Sequence, residues 1–177
     1  LRDYYDRFQR GARRRGVDAE TIKAVWTMMM SFDGYSFCKP HSASYARVSF
    51  QAAYLKVHHP AEFMAAVISN QGGFYSTFAY VSEARRLGLT IQPPDVCSSR
   101  IRWTGKGDIM QVGLMSIKDL SIRTMTRIVD EQNRRLFTYM DDFLDRVRPD
   151  EAEGRALIHA GALDRLCSGS SRAMLLW

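Results

Sequence analysis

The chain has 177 residues, 46% of them hydrophobic, which is enough for one good core or two small ones. No run approaches the roughly 20 apolar residues of a membrane helix, and there is no signal peptide, so we expect a cytoplasmic protein without a membrane partner. The net charge of +6, with 20 arginines among 25 basic side chains, favours nucleic acid as a partner, because the arginine fork suits phosphate; the alternative that these arginines only solvate helices stays open.

The first elements are two predicted helices, over 2–14 and 18–32, which separate at Gly16. Asp18 is placed to cap the second helix. Apolar residues recur on that helix at steps of three and four, which predicts one buried stripe of Ile22, Val25, Trp26, Met29 and Phe32. Arg14 lies in a run of three arginines between the helices and is a candidate DNA contact.

A longer helix is predicted over 42–58, after Gly34 and Pro40 interrupt the pattern. Its apolar side is formed by Ala43, Ala46, Phe50, Ala53, Tyr54 and Val57. Pro60 ends this helix and begins an apolar one over 60–70, which a glycine pair stops. Another helix is predicted over 75–87.

The pattern then changes to short extended runs between Leu89 and Leu114, punctuated by paired prolines and two glycines. This is typical of a small ribbon of two or three strands. Three helices are predicted after it, starting near Ser121, Tyr139 and Glu151 and ending in a turn at Gly161.

One long segment, FCKPHSASYARVSFQAAYLKVHHPAEFMAAVIS, resembles the fingers region of the C-family bacterial replicative polymerases, the alpha subunits of DNA polymerase III. The similarity continues through FYSTFAYVSEARRLGLTIQPPDV, VGLMSIKDL and LIHAGALDRL, so it covers nearly the whole chain. The resemblance implies a mainly α fold, a helical fingers domain with a small β ribbon followed by a helix-hairpin-helix-like segment. We divide it into a fingers core over 1–88, a ribbon connection over 89–116 and the hairpin segment over 117–177.

The KPHS run places Lys39, His41 and Ser42 at the start of the long helix, where free amides and the helix dipole favour an anion. The resemblance implies that this edge binds the incoming deoxynucleoside triphosphate. Lys39 then supplies charge, His41 and Ser42 supply hydrogen bonds, and Tyr45 packs near the base or sugar. From the residues alone, the alternative is that Ser42 only caps the helix, His41 is a satisfied surface group and Tyr45 belongs to the core.

The run VGLMSIKDLSIRTMTRIVDEQ is similar to a helix-hairpin-helix element, whose glycine turn lets backbone amides contact DNA phosphates. Asp119 and Ser121 stand here where the family has glycines, which hinders close approach and places an acid where a phosphate would lie. Lys118, Arg123 and Arg127 still supply positive charge for DNA. The alternative is that this element is only a packing unit.

No catalytic or metal-binding residue is predicted. Asp141 and Asp142 are the obvious carboxylate pair for two metal ions, but they lie on an amphipathic helix and are interpreted as its solvated face. Adjacent His58 and His59 point in different directions, so they are not expected to share a metal. The cysteines are expected to be reduced thiols, because Cys38, Cys97 and Cys167 are odd in number and widely scattered.

The chain opens at Leu1 inside a charged helical pattern, which we interpret as an excerpt from a longer protein. The resemblance places the catalytic acids and their Mg²⁺ in a palm domain outside it, so the fragment is expected to hold no cofactor and to be inactive alone. The implied partners are primer–template DNA, deoxynucleoside triphosphate, the rest of the alpha subunit, the sliding clamp and other replisome subunits. Two alternatives are an error-prone paralogue and a non-enzymatic DNA-binding or scaffold module.

Overall fold

The computed structural model describes residues 1–32, 39–71, 73–167 and 171–175. The chain divides into two compact units, Leu1–Ser49 and Phe50–Trp177, with the division inside one long helix. Helices dominate both units, and the sheet is small, which confirms the mainly α fold class. Predictions that involve Gly34, Cys38 and Gly72 lie outside the described residues.

The first unit contains α1 (Arg2–Arg13), α2 (Ala19–Met30) and the first part of α3 (Lys39–His58). The Asp18 carboxylate caps α2, accepting from the Thr21 amide at 2.8 Å and from the Thr21 hydroxyl at 2.6 Å. The hydroxyl bond, followed by the amide bond, lowers the pKa of Asp18. Both predicted helices and the predicted cap are confirmed.

The predicted buried stripe of α2 is only partly present. Ile22 is buried, and the Trp26 ring lies 5.0 Å from that of Tyr5 in α1. Val25, Met29 and Phe32 are exposed, so the prediction of burial is wrong for these three. One neighbouring helix covers only a narrow face of α2, whereas the apolar pattern extends farther around it.

None of the described side chains of α3 is buried. Its predicted apolar side is exposed, with Phe50 at 79% and Val57 at 72%. The helix is therefore present, but periodicity identifies only which side would be covered, not whether a cover exists. Near the end of α3, the Lys56 ammonium forms a salt bridge with the Glu83 carboxylate, with 2.8 Å between Nζ and Oε1.

The second unit contains two apolar clusters. The first is built from α4 (Pro60–Asn70), α5 (Thr77–Arg86) and a sheet of β1 (Thr90–Gln92), β2 (Thr104–Lys106) and β3 (Ile109–Gln111). In the sheet β3 is central, parallel to β1 and antiparallel to β2. The predicted ribbon is thus confirmed in its three-stranded form. The buried members of this cluster are Ala61, Met64, Ala65, Ile68, Ala84, Leu89, Trp103 and Met110.

Strand β2 lies directly against α4 because Gly105 has no side chain. A Cβ at this position would lie 2.2 Å from the carbonyl carbon and oxygen of Ala61. Both of those atoms are backbone, so they cannot rotate aside. The close contact places Trp103, two residues before Gly105, in the core beside α4, where it is 8% exposed.

The second cluster is built from α6 (Ile122–Arg134), α7 (Met140–Val147) and α8 (Glu151–His159), with α9 (Arg172–Leu175) after them. These elements confirm the three helices predicted after the ribbon. Gly161 turns the chain after α8 with φ of 72°. The largest fully buried side chains of this cluster are Val96, Leu114, Ile128, Phe143, Val147 and Leu157.

Asp142 in α7 is buried, although the sequence predicts it on a solvated helix face. Its carboxylate is buried and accepts from Arg135 at 2.6 Å, from Arg146 at 3.2 Å and from the Thr138 amide at 3.2 Å. Burial alone would raise the pKa of Asp142, but these partners outweigh it and lower the pKa. The interpretation of a solvated pair is wrong for Asp142, whereas Asp141 is exposed.

Candidate nucleic-acid interface

The first candidate site lies at the start of α3, in the first unit. Lys39, His41, Ser42 and Tyr45 are all exposed there. The ring centre of His41 lies 4.4 Å from that of Tyr45, so these two share one face of the helix. Ser42 follows Lys39 by one turn, so these two residues are also neighbours on the helix surface. The four predicted residues therefore line adjacent strips along the first two turns.

Charge along α3 is uniformly positive. Its 20 residues include Lys39, Arg47 and Lys56 but no aspartate or glutamate. Arg47, exposed two turns after Lys39, is a cation that the sequence analysis did not single out. The absence of acidic residues along α3 is the sequence signal that could have identified Arg47 as part of a basic surface. No carboxylate of α3 would therefore repel an anion bound near the start of this helix.

The positions of Ser42 and Tyr45 do not support their alternative assignments, whereas His41 is exposed, as its alternative as a surface group requires. The helix is already formed at Lys39, so Ser42 lies one turn inside it and is not its N-cap. Tyr45 is 64% exposed and does not belong to a core. The nucleotide contact itself stays a prediction.

Arg14 is exposed directly after α1. It lines an open groove of about 920 Å³ between α1 and α2, together with Arg7 and Arg15 and with the apolar side chains of Phe8 and Ile22. The groove combines a basic and an apolar lining. A DNA contact by Arg14 stays a prediction.

The second candidate site is the hairpin in the second unit. A 3₁₀ turn, Leu114–Ser116, leads to the loop before α6. Ile117 and Leu120 are buried and hold this loop on the core, whereas Lys118 and Asp119 are exposed. Asp119 has φ of 64°, the left-handed conformation that glycine adopts freely and aspartate tolerates. The loop therefore keeps a glycine-like backbone at this position although the residue carries a side chain.

The N-terminal end of α6 is occupied by a carboxylate of α8. The Ser121 amide donates to Glu153 Oε1 at 3.2 Å, and the Ser121 hydroxyl donates to the same oxygen at 2.5 Å. The Thr124 hydroxyl donates to Glu153 Oε2 at 2.8 Å. Glu153 is only 7% exposed. An internal anion therefore lies where the first turn of α6 attracts negative charge.

Burial would raise the pKa of Glu153, but hydrogen bonds from Ser121, Thr124 and the Asp150 amide outweigh it, and the pKa is lowered. Glu153 is therefore ionised at neutral pH. The sequence analysis missed this residue. The spacing of Asp150 and Glu153 predicts the capping box that they form at the start of α8, but not the contact with α6.

The three basic residues predicted for the hairpin differ in their surroundings. Lys118 and Arg123 are exposed on either side of the Ser121 cap. Arg127 donates from Nη1 to the Val147 carbonyl oxygen at 3.2 Å, which ties α6 to the end of α7. Part of the Arg127 guanidinium is thus committed to the fold, and Lys118 and Arg123 are the better candidates for a phosphate contact.

Within the described ranges, no group of three or more histidine, cysteine, aspartate or glutamate side chains could hold a metal ion. The buried thiol of Cys97 has its pKa raised to about 11, by burial and then by Asp95. No helix in the part of the chain that the structure describes is long and apolar enough to span a membrane.

Comparison with known proteins places these observations in a family context. A helix-hairpin-helix motif model matches residues 88–175. The chain is 36% identical to the DNA polymerase III subunit alpha of Thermus aquaticus over 99% of its own length and 15% of that protein. It is 38% identical to that of Vibrio cholerae over 96% and 15%, and 31% identical to that of Mycobacterium tuberculosis over 94% and 14%. The chain thus spans about 15% of the length of these curated relatives.

Proposed function

This chain belongs to the DNA polymerase III alpha subunit family, and on that premise we propose that it is the fingers region of such a polymerase. In this role it binds incoming deoxynucleoside triphosphate and primer–template DNA during template-directed DNA synthesis. The metal-binding acids lie in the palm, outside this segment, so the segment alone does not polymerise. Its further partners are the rest of the alpha subunit, the sliding clamp and other replisome subunits.

The observation that carries the DNA part of this proposal is the hairpin. Its loop is held on the core by buried Ile117 and Leu120, while Lys118 and Arg123 extend into solvent. Cations on a fixed loop contact phosphates without reading bases. Residues 1–135 also hold 20 basic and 12 acidic side chains, which adds a general attraction for a polyanion. The resulting binding is independent of DNA sequence and weakens strongly with salt.

The nucleotide part is supported by the start of α3. Lys39 provides a charge next to the first turn of a helix that has no carboxylate. Triphosphate oxygens accept hydrogen bonds from such a turn and from nearby side chains. The rings of His41 and Tyr45, tilted by 53° to each other, offer exposed aromatic faces for a base or sugar. Fingers supply positioning in phosphoryl transfer, which needs no catalytic group in this segment.

Fluorescence anisotropy with labelled primer–template duplexes tests the DNA part. Two duplexes of unrelated sequence are expected to bind the chain with equal affinity. Replacing both Lys118 and Arg123 by alanine is expected to weaken binding by about tenfold at low salt. The matched control removes two exposed lysines elsewhere, Lys23 and Lys106, and is expected to change affinity much less. Equal weakening in both double variants would contradict a specific role for the hairpin.

A further inference from the structure

We propose that Glu153 replaces a DNA phosphate at the N-terminal end of α6, so that duplex DNA contacts this hairpin through the Lys118 and Arg123 side chains and not through the Ser121 and Thr124 amides. The inference rests on the proposed DNA-binding function and specifies how it is carried out. It concerns a residue that lies on α8, not on the hairpin itself.

Glu153 satisfies several hydrogen-bond donors at once. Oε1 accepts from the amide and hydroxyl of Ser121, and Oε2 accepts from the Thr124 hydroxyl and from the Asp150 amide at 3.2 Å. Both carboxylate oxygens are thus fully used, as phosphate oxygens would be at an open helix N-terminus. The Thr124 amide is also taken, since it donates to the Ser121 hydroxyl oxygen at 3.2 Å.

Negative charge near the Ser121 amide also repels a phosphate. Glu153 is 7% exposed, so water screens its charge poorly. A phosphate that approached the Ser121 amide would meet a like charge within hydrogen-bonding distance of the same donor. The exposed carboxylate of Asp119, two residues before Ser121, adds a second negative charge on the loop. The Ser121 and Thr124 amides are therefore closed to a phosphate, the first by charge as well as by occupancy.

Two exposed cations remain available to bind DNA phosphates. Lys118 and Arg123 flank the occupied end of α6 and are both exposed. Their long side chains carry the positive charge away from the two carboxylates and toward solvent. The hairpin thus keeps a basic outer surface while its backbone is used to join α6 to α8.

The test uses amide NMR spectra of the 177-residue chain with and without a short duplex, and compares Glu153→Gln with Glu151→Gln. Both variants remove one negative charge from the first turn of α8, but Glu151 is exposed. In the wild-type chain, saturating duplex is expected to shift the Ser121 amide resonance no more than those of the neighbouring backbone amides. Glu153→Gln is expected to tighten duplex binding by about two- to fivefold and to make that resonance respond to DNA. Glu151→Gln is expected to change the affinity little.

Three results would overturn the inference. One is a shift of the Ser121 amide well above the shifts of its neighbouring amides when duplex is added to the wild-type chain, which needs no variant and shows that phosphate displaces the carboxylate. Another is equal tightening by both variants, which is a plain net-charge effect. The third is a Ser121 amide resonance that is identical in wild type and Glu153→Gln without DNA. If the wild-type chain binds no duplex, the proposed DNA-binding function fails, and the DNA-free comparison still decides whether Glu153 holds this amide.

Discussion

A methyl group is expected to have opposite effects at two glycines of the second unit. At Gly105 the added Cβ would lie 2.2 Å from the Ala61 carbonyl and 2.5 Å from the Glu62 amide nitrogen. Ordinary Cβ contacts begin near 3.4 Å, so β2 and α4 would have to separate by roughly 1 Å. That movement opens the core around Trp103 and costs about 1–3 kcal/mol. The melting temperature should fall by about 3–10 °C.

Gly154 is the matched control. It lies inside α8, and a Cβ there would have no atom within 4 Å. Alanine at this position should stabilise the chain by about 0.5–1 kcal/mol, because glycine in a helix loses more backbone entropy on folding. Urea denaturation of Gly105→Ala and Gly154→Ala, followed by circular dichroism and tryptophan fluorescence, measures both effects. A Gly105→Ala chain as stable as wild type would refute the close packing of β2 on α4.

Three further predictions concern charge and reactivity. Asp142 and Glu153 have lowered pKa values in the folded chain, so their contribution to stability is complete above about pH 5 and is lost as pH falls through the folded values. Acid unfolding of Asp142→Asn should therefore depend less steeply on pH than that of wild type. The Cys97 thiol, buried with a pKa of about 11, should react slowly with a thiol reagent at neutral pH and quickly once urea unfolds the chain, and fast reaction of the folded chain would argue against its burial. In a full-length polymerase that contains this segment, Lys39→Ala should raise the apparent KM for nucleotide at least about tenfold with little change in DNA affinity, whereas Arg14→Ala should do the reverse. Wild-type nucleotide kinetics in Lys39→Ala would show that the site is misassigned.

Helix boundaries could be predicted wherever a local signal marks them. Asp18 and Ser121 cap the helices that the sequence predicts after them, and Pro60 stands at the first position of α4. These signals act within one turn of the chain, so they do not depend on tertiary structure. At the start of α3 the proline signal was misinterpreted, because Pro40 lies in the first turn of the helix and not before it, and the helix is formed three residues earlier than predicted.

Burial could not be predicted in the same way. The apolar pattern on α2 and α3 is the same kind as that on α4, yet Phe32 and Phe50 are exposed while Met64 is buried. A pattern records which face suits a core, and only the presence of a neighbouring element decides whether that face is covered. Asp142 is the opposite case, a polar residue that is predicted to be exposed but is buried. Its burial is possible because Arg135 and Arg146 pair with the carboxylate.

The sequence identifies which side chains of the candidate DNA site carry charge, but not the contacts around them. The departures at Asp119 and Ser121 are visible in the sequence and predict that amide contacts with phosphate are hindered. The contact that explains Ser121 comes from Glu153, 32 residues later. No spacing rule relates positions on separate helices, so this pairing needed the fold.

Photo-crosslinking decides where this segment meets DNA. A primer–template duplex with a photoreactive group on its backbone phosphates is irradiated with the 177-residue chain, and the modified peptides are mapped by mass spectrometry. We expect the cross-links to fall in peptides that contain Lys118 and Arg123, for duplexes of any sequence, and to decrease with added salt. Residues 136–177 hold 5 basic and 7 acidic side chains and should be poorly labelled. Cross-links confined to residues 136–177, or labelling of the hairpin that does not change with salt, would contradict DNA binding through the hairpin.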